Sequence, residues 1–352
     1  MSIHTTTTNG SGGPTTDVVP DAAGSQRAEF PQPSLGILHE HPTWFGPLFD
    51  ELEARKLPFQ ALHAGDVHFS VQGESLPFSV LFNRMSPSAY LREGASGIFF
   101  TEQLLEELEA RGTRVVNGLA AYRTETSKLR QIRILADLGL PHPSTLAAHS
   151  DNGIRNAAQE LGFPLILKPN VGGSGAGVVR VDTEELLEEI LSAGTLERGV
   201  DGTVLVQEFV PPRDQTIVRV EVVGGVFLYA IRIHLTGETF NLCPADVCQG
   251  VNGAELERSA CPLDAPKTGL KVEGFEPSPE IIREVETLMA RAGIEVGGVE
   301  YLIDDVSGER VYYDVNALSN FVADPVKVVG FDPVPVLGDY LEGVVAENGG
   351  SR

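Results

Sequence analysis

Short apolar runs alternate with amphipathic stretches through the first third of the chain. Four runs have the length and composition of buried strands, at residues 35–38, 57–62, 79–83 and 114–116. Two stretches carry apolar residues at helical spacing, 45–56 and 102–111. Alternating strands and helices with short connections are typical of a mainly parallel sheet, so this region is predicted to form an α/β layer.

A different alternation follows from residue 126 onwards, where several strands neighbour each other in the sequence. Helices are predicted at 127–138, 152–161, 183–193 (with Thr183 as N-cap), 279–292 and 334–345. Strands are predicted at 144–148, 165–168, 178–181, 204–209, 216–223, 226–233, 297–303 and 310–316. Gly224 and Gly225 separate two of these strands and predict a tight hairpin. Residues 235–274 have little periodicity, and we expect long loops that face the substrate.

The composition of residues 1–33 differs from that of the rest of the chain. This segment is rich in Thr, Gly, Ser and Pro and holds almost no large apolar side chains. Because it cannot offset the entropy lost on ordering, a disordered tail is expected. The remaining chain is predicted to divide into an N-terminal unit, 34–125, and two further units, 126–208 and 209–347.

Acidic residues far outnumber basic ones. There are 49 Asp and Glu against 26 Lys and Arg, which gives a formal net charge of −23. This charge disfavours nucleic acids and anionic membranes as partners. Three cysteines cannot form a fully paired disulfide framework, and the sequence has neither a signal-peptide pattern nor a membrane-spanning apolar run, which favours the cytoplasm. A homo-oligomer is compatible with these features.

A lysine and a glycine-rich run lie between two predicted strands. Lys168 ends the first strand, and the run from Gly172 to Gly177 leads into the second. The run lacks the Gly-Lys-Ser/Thr ending of a P-loop and does not fit GxGxxG. Such a strand-to-strand loop can fold over phosphates, with Lys168 beneath it as a point charge. Taken alone, the same segment is equally typical of a surface hairpin.

Polar side chains interrupt two otherwise apolar strands near the C-terminus. Asp314 and Asn316 lie two apart and therefore share a face, whereas Val315 is expected to point into the core. Glu300 on the neighbouring strand can join that face. Two carboxylates and an amide oxygen suit Mg²⁺, which takes its remaining ligands from water and nucleotide phosphates. A solvated sheet edge is the alternative explanation.

The order of these segments resembles the ATP-grasp superfamily, and within it the group that contains the ribosomal-protein S6 glutamate ligase and related amino-acid ligases. The resemblance runs from residue 126 to the C-terminal helix, and residues 35–122 resemble the domain that usually precedes it. It implies an α/β fold class with α+β lobes, namely an ATP-grasp fold with an N-terminal α/β pre-ATP-grasp domain. The residues that carry it are, in chain order, Lys128, Lys168 with its glycine loop, Gln207-Glu208-Phe209-Val210, Arg219, Arg232, Asn241, Glu300, Asp314 and Asn316.

The resemblance also implies roles for the matched residues. Two Mg²⁺ ions, replaceable by Mn²⁺, would be held by Glu300, Asp314 and Asn316. Arg219 and Arg232 would neutralise the transferred phosphate or the acyl-phosphate oxygen, and Asn241 would orient the same group. An exposed cross-strand charge is the simpler role for either arginine. The phosphates of ATP would be bound by Lys128 and Lys168. The glycine loop, with Gly173, Ser174, Gly175, Ala176 and Gly177, would close over them. A hinge formed by Gln207, Glu208, Phe209 and Val210 would lie against the adenine.

Two positions depart from the resemblance. Ile217 stands where an Asp commonly precedes the arginine matched by Arg219, and the segment after Asn241 lacks the usual glycine-rich turn. Substrate identity is therefore not inherited from the group. Arg84, at the end of the third predicted strand, is either a ligand for a substrate carboxylate or a surface arginine in a strand-ending turn.

Together these expectations indicate a Mg-ATP-dependent ligase that joins a small-molecule carboxylate to an amine, with an amino acid or peptide as substrate. A carboxylate is a poor electrophile, so the reaction needs an activated intermediate, which the resemblance implies to be an acyl phosphate. The chief alternative is a small-molecule kinase, because the Asp-x-Asn arrangement also resembles the inositol-phosphate kinases of this superfamily. A non-catalytic ATP-binding module is a third hypothesis.

Overall fold

A computed structural model describes residues 34–71, 77–92, 94–173, 175–235 and 271–348. The predicted disordered tail lies outside the described residues, as does most of the predicted loop region between residues 235 and 274. Among the described residues, no helix combines the length and apolarity needed to cross a bilayer.

The N-terminal sheet has four parallel strands and confirms the predicted α/β layer. Its spatial order is β2-β1-β3-β4. Strands β1 and β3 are buried throughout, which explains their nearly continuous apolar runs. The strands are β1 (Leu35–His39), β2 (Phe59–His63), β3 (Val80–Arg84) and β4 (Arg114–Val116), and the helices are α1 (Gly46–Ala54), α2 (Ala95–Ala110) and α3 (Leu119–Glu125).

The middle sheet has four antiparallel strands in the order β5-β8-β6-β7. Helix α4 (Lys128–Asp137) precedes it in the chain. The predicted cap of α6 is confirmed, since the Thr183 hydroxyl accepts a hydrogen bond from Leu186 N at 3.3 Å. The elements are β5 (Thr145–Ala148), α5 (Asp151–Leu161), β6 (Leu165–Pro169), β7 (Val179–Val181), α6 (Glu184–Ala193) and β8 (Val204–Glu208).

The C-terminal sheet has five antiparallel strands in the order β11-β10-β9-β12-β13. Gly224 and Gly225 form the predicted hairpin with φ of 64° and 75°, which glycine adopts without strain. The elements are β9 (Thr216–Val223), β10 (Val226–His234), β11 (Lys271–Phe275), α7 (Pro279–Ala292), β12 (Val296–Ile303), β13 (Arg310–Asn316), α8 (Pro325–Val328) and α9 (Pro333–Asn348).

Strand β11 corrects part of the sequence prediction, because residues 271–274 were expected to be loop. The strand lies at the sheet edge and holds charged residues and a glycine, so it shows no apolar alternation.

Helices α4 and α7 pack on one face of the C-terminal sheet. Side chains from α4 and α7, including Leu135, Val285 and Leu288, pack with Val220 and Val299 in one buried cluster. Because α4 and α7 occupy this face, the polar residues of β9, β12 and β13 that project from the opposite face remain available for a site.

Asn117 joins the N-terminal sheet to the C-terminal sheet. Its side-chain nitrogen donates to Val296 O at 2.6 Å and to Ala317 O at 2.7 Å. Its side-chain oxygen accepts from Glu295 N at 2.9 Å and from Val296 N at 3.1 Å. The residue has φ of 52°, a left-handed conformation that Asn tolerates better than most side chains. The buried side-chain amide of Asn117, which follows β4, thus satisfies backbone groups at the start of β12 and just after β13.

We expect Asn117→Ala to lower the free energy of unfolding by roughly 2–4 kcal/mol, because buried backbone groups lose their partners while the left-handed conformation is kept. Urea unfolding measures the change. The matched control is Asn156→Ala, at an exposed position of α5. Equal effects of the two substitutions would contradict the role given to Asn117.

Candidate active site

A cleft lies between the middle sheet and the C-terminal sheet. Its walls come from α4, β6, β8, β9, β12 and β13, together with the loop that follows β6. Most of the residues predicted to bind ATP, to hold metal or to act in catalysis line this cleft, namely Lys128, Lys168, Gly173, Gly175, Ala176, Gln207, Glu208, Phe209, Val210, Arg219, Glu300, Asp314 and Asn316. Sequence reasoning therefore located residues that the fold brings together from distant parts of the chain.

Two lysines meet because the chain after β6 is bonded to the first turn of α4. Asn170 O accepts a hydrogen bond from Lys128 N at 3.1 Å. The Asn170 side-chain oxygen accepts another from Leu129 N at 2.9 Å. Since Asn170 directly follows β6, these bonds hold Lys128 near Lys168 of that strand.

The two lysines have different electrostatic environments. Burial and the charge of Lys128 lower the pKa of Lys168 to about 7. Burial also opposes the charge of Lys128, but the nearby Asp314 outweighs it and raises the Lys128 pKa. Burial alone would raise the pKa of Asp314, yet Lys128 and Lys168 lower it. The cleft thus contains a half-buried ion pair, in which Lys128 Nζ donates to Asp314 Oδ1, beside a second lysine that an anion would stabilise.

Cross-strand register places four side chains in one row on the cleft face of the C-terminal sheet. Ile231 lies opposite Arg219, Arg219 opposite Glu300, and Glu300 opposite Asp314. Cross-strand partners point to the same face of a sheet. Val315 is 1% exposed and packs in the cluster under the helices, so the predicted alternation around it holds.

A β-bulge adds a tyrosine to this face. The register of β12 and β13 shifts after the Glu300–Asp314 pair, and Tyr313 is left as the extra residue. Both Tyr313 and Asp314 consequently line the cleft, and the Tyr313 hydroxyl donates to Glu300 Oε2 at 2.8 Å. Strict alternation of side chains would send Tyr313 to the helix-covered face, so the sequence pattern gave no sign of this contact.

The donor set of the acidic residues fits Mg²⁺. Asn316 Nδ2 donates to Asp314 Oδ2 at 3.1 Å, which holds the amide and the carboxylate together. Burial raises the pKa of Glu300 against the opposing effect of Arg219, so a bound cation would stabilise the charged form. Among the described residues, no group of three or more His, Cys, Asp or Glu is arranged to hold a metal. Two carboxylates and one amide oxygen form an incomplete shell of hard ligands, which Mg²⁺ completes with water and phosphate.

Arg219 is buried between carboxylates and is not an exposed cross-strand charge. Its Nη1 donates to Glu300 Oε1 at 3.1 Å, and its Nε donates to Glu221 Oε1 at 2.6 Å. Its Nη2 donates to the Ser319 hydroxyl at 2.8 Å. These contacts orient Glu300 towards the cleft.

Gln131 of α4 is a second residue that the sequence analysis missed. Its Nε2 donates to Val315 O at 2.8 Å, and its Oε1 accepts from Val315 N at 3.2 Å. Val315 lies between Asp314 and Asn316 on an edge strand, so the amide of Gln131 replaces a neighbouring strand at this point. A buried polar residue in an otherwise apolar helix face was the available signal.

The hinge segment, residues 207–210, lines another part of the cleft together with apolar side chains from other elements. Gln207 Nε2 donates to the Thr145 hydroxyl at 2.8 Å, and Glu208 Oε1 accepts from Ser144 N at 2.7 Å. These bonds attach the hinge to the start of β5. Apolar side chains from both sheets line the same cleft and provide surface for a planar base: Ile166, Val178, Ile217 and Leu302.

Arg232 is not brought into the cleft. It lies opposite Val218, which packs under the helices, so its side chain projects from the face opposite to that of Arg219. It pairs with Glu273 at 3.5 Å and stacks on the Phe275 ring, with 4.5 Å between the guanidinium carbon and the ring centroid. The expected contact with transferred phosphate is not supported by this position, whereas the simpler role as a cross-strand charge is.

Other predicted residues also differ from expectation or lie outside the described chain. Arg84 is buried and donates to Ser319 O at 2.7 Å and to Asn320 Oδ1 at 3.2 Å, so it is not a surface arginine and instead holds the segment after β13. Gly177 is not among the residues that line the cleft. Ser174 and Asn241 lie outside the described residues.

Comparisons with known proteins agree with this fold. Residues 125–241 match the RimK-like ATP-grasp domain family. A protein of Trichodesmium erythraeum named "Probable alpha-L-glutamate ligase" is 29% identical over 230 residues, which cover 63% of this chain and 74% of the relative. Residues 125–241 are therefore a RimK-like ATP-grasp domain, and the chain is related to ligases.

Solved structures share the fold over most of the chain. The ATP-grasp ligase PsnB, complexed with minimal precursor, Mg and ADP, has a TM-score of 0.58 at 20% identity, covering 89% of this chain and 97% of PsnB. The D-alanine–D-alanine ligase of Bacillus anthracis has a TM-score of 0.59 at 16% identity, covering 89% of this chain and 98% of that one.

The relatives and the structural neighbours are named as ligases, which agrees with the predicted ATP-dependent carboxylate–amine ligase. Neither the kinase nor the non-catalytic alternative fits these comparisons.

The low pKa of Lys168 predicts a pH dependence of nucleotide binding. The side chain is protonated below about 7 and neutral above it, and phosphate favours the protonated form. We therefore expect the affinity for metal-free ADP to fall as the pH rises from about 7 to about 9, by up to about tenfold per pH unit. Isothermal titration calorimetry at each pH measures the affinity for ADP. Lys168→Met should remove the dependence and the exposed Lys271→Met should keep it; a slope that survives in Lys168→Met would refute the assignment.

Proposed function

We propose that the enzyme uses Mg-ATP to activate a carboxylate as an acyl phosphate and then transfers the acyl group to an amine, with an amino acid or peptide as substrate. The observation that carries this proposal is the convergence in one cleft of Lys128 and Lys168, the glycine loop, the hinge and the carboxylates of Glu300 and Asp314. The order of steps follows from chemistry, because a free carboxylate does not react with an amine without activation.

In this proposal Lys128 and Lys168 bind the phosphates of ATP and the loop from Gly172 to Gly177 covers them. The adenine lies against the hinge from Gln207 to Val210, where apolar side chains exclude water from its faces. Lys168 gains most from the bound anion, because phosphate would restore a charge that burial disfavours.

Glu300, Asp314 and Asn316 would hold two Mg²⁺ ions together with the nucleotide phosphates. When bound, Mg²⁺ offsets the charge that develops on the phosphate oxygens during transfer. Lys128 contacts Asp314 directly, so in this proposal its ammonium group moves from Asp314 to a phosphate as the nucleotide complex binds. Arg219 keeps Glu300 in position through this exchange.

The reaction balances as two displacements. The substrate carboxylate oxygen attacks the γ-phosphorus of ATP, the bond to the β-phosphate oxygen breaks, and ADP leaves. The amine nitrogen then attacks the acyl carbon, inorganic phosphate leaves, and the proton of the amine passes to solvent or to the phosphate. Fixed donors that face the developing oxyanion lower the barrier of each step.

The choice of an amino acid or peptide as substrate is supported by the relatives. The Trichodesmium protein is named a glutamate ligase, and PsnB is described with a peptide-type precursor. A cytoplasmic location, where ATP and Mg²⁺ are supplied, fits this chemistry.

We expect Asp314→Asn and Glu300→Gln each to lower ATP turnover by roughly a hundredfold or more, since each removes a charged ligand from the metal site. Turnover is followed as release of both ADP and inorganic phosphate when mixtures of amino acids and peptides are supplied. The matched control is Asp305→Asn in the exposed turn after β12, which should leave turnover unchanged. Release of ADP with the phosphate retained on the product would instead identify a kinase.

A further inference from the structure

Glu221 is a buried carboxylate that the proposed chemistry does not use. It lies on β9 two residues after Arg219 and therefore on the same, cleft-facing side of the sheet. Its exposed fraction is 1%, and only one of its two carboxylate oxygens has a hydrogen-bond partner among the described residues. A charged group buried in this way is costly unless a nearby charge offsets it.

The partner of Glu221 is Arg219. Glu221 Oε1 accepts from Arg219 Nε at 2.6 Å and from the Ser319 hydroxyl at 2.6 Å. Gly298 lies opposite Glu221 on β12, and a Cβ built at Gly298 would approach the Glu221 carboxyl group to 3.0 Å. The absence of a side chain at Gly298 thus makes room for the carboxylate.

Arg219 also contacts Glu300, the carboxylate assigned to the metal. With Arg219 and Glu300 alone, the pair would be neutral and the guanidinium would oppose a divalent cation at Glu300. With Glu221 included, the group of three has a net charge of −1. The electrostatic cost of placing Mg²⁺ beside Arg219 falls accordingly, because nearby charges interact strongly at buried sites.

We propose that Glu221 is a positioning residue that offsets the positive charge of Arg219 and so keeps Glu300 available to Mg²⁺. This inference rests on the proposed function, in which Glu300 binds the metal. In this inference Arg219 orients Glu300, and Glu221 compensates the charge of Arg219. A charge-compensating role of Glu221 differs from a role of that residue in folding alone.

The test measures the binding of ADP by calorimetry at a series of Mg²⁺ concentrations and in the presence of a chelator. Glu221→Gln keeps the shape of the side chain and removes its charge. We expect the Mg²⁺ concentration for half-maximal enhancement of ADP binding to rise about tenfold, as is typical when a residue behind a metal ligand is altered. The affinity for metal-free ADP should stay the same or increase, because a negative charge near the phosphates has been removed.

The matched control is Glu284→Gln. Like Glu221, Glu284 accepts from an arginine and a hydroxyl group, here Arg310 at 2.5 Å and the Tyr312 hydroxyl at 2.6 Å, but it lies on α7 behind the opposite face of the sheet. The Mg²⁺ requirement of the Glu284→Gln variant should match that of the wild type. A Mg²⁺ requirement in Glu221→Gln within twofold of the wild type would overturn the inference, as would an equal loss of metal-free ADP binding.

A double variant, Arg219→Met with Glu221→Gln, removes both charges. The inference predicts that the Mg²⁺ requirement returns most of the way to the wild-type value, even though turnover is lost. If Glu221→Gln alone does not fold, the double variant still tests the inference. A double variant whose Mg²⁺ requirement equals or exceeds that of Glu221→Gln would overturn the inference. Failure of the proposed function is distinguishable, because the wild-type protein itself would then show no Mg²⁺-dependent enhancement of ADP binding.

Discussion

The candidate site depends on one half-buried ion pair, between Lys128 at the start of α4 and Asp314 on the edge strand β13. Both side chains are largely removed from water, so neither charge would be stable there without the other. The pair lies where the middle and C-terminal sheets meet, and the remaining polar residues of the cleft are arranged around it. Within the part of the chain that the structure describes, Lys168 forms no ion pair with a carboxylate, and burial lowers its pKa, so an anion would stabilise its charged form.

The two sheets contribute different chemistry to the cleft. The middle sheet and its loop supply Lys168, backbone donors and an apolar wall, while the C-terminal sheet supplies the carboxylates of Glu300 and Asp314. Helix α4 adds Lys128. Side chains from segments far apart in the chain connect the elements that form the cleft. Asn170 connects the end of β6 to α4, Gln131 connects α4 to β13, and Asn117 connects the N-terminal sheet to the segment before β12. Each connection uses a side-chain amide, which offers both a donor and an acceptor to buried backbone.

Local pattern predicted much of this fold, because the information lay within a few residues. The parallel N-terminal sheet, the Gly224–Gly225 hairpin and the shared face of Asp314 and Asn316 all follow from periodicity or turn chemistry. What could not be predicted depended on register between strands. The bulge that turns Tyr313 into the cleft, and the pairing that turns Arg232 away from it, are set by neighbouring strands and leave no mark in the local sequence.

The contact between Gln131 and Val315 has a consequence beyond the site. Strand β13 ends its sheet, and an uncovered edge strand offers its backbone to any other extended chain, which is a common route to aggregation. By occupying both the N–H and the C=O of Val315, Gln131 blocks such pairing at the midpoint of the acidic segment. The same amide that bonds the backbone between Asp314 and Asn316 therefore also hinders self-association of the molecule through this edge.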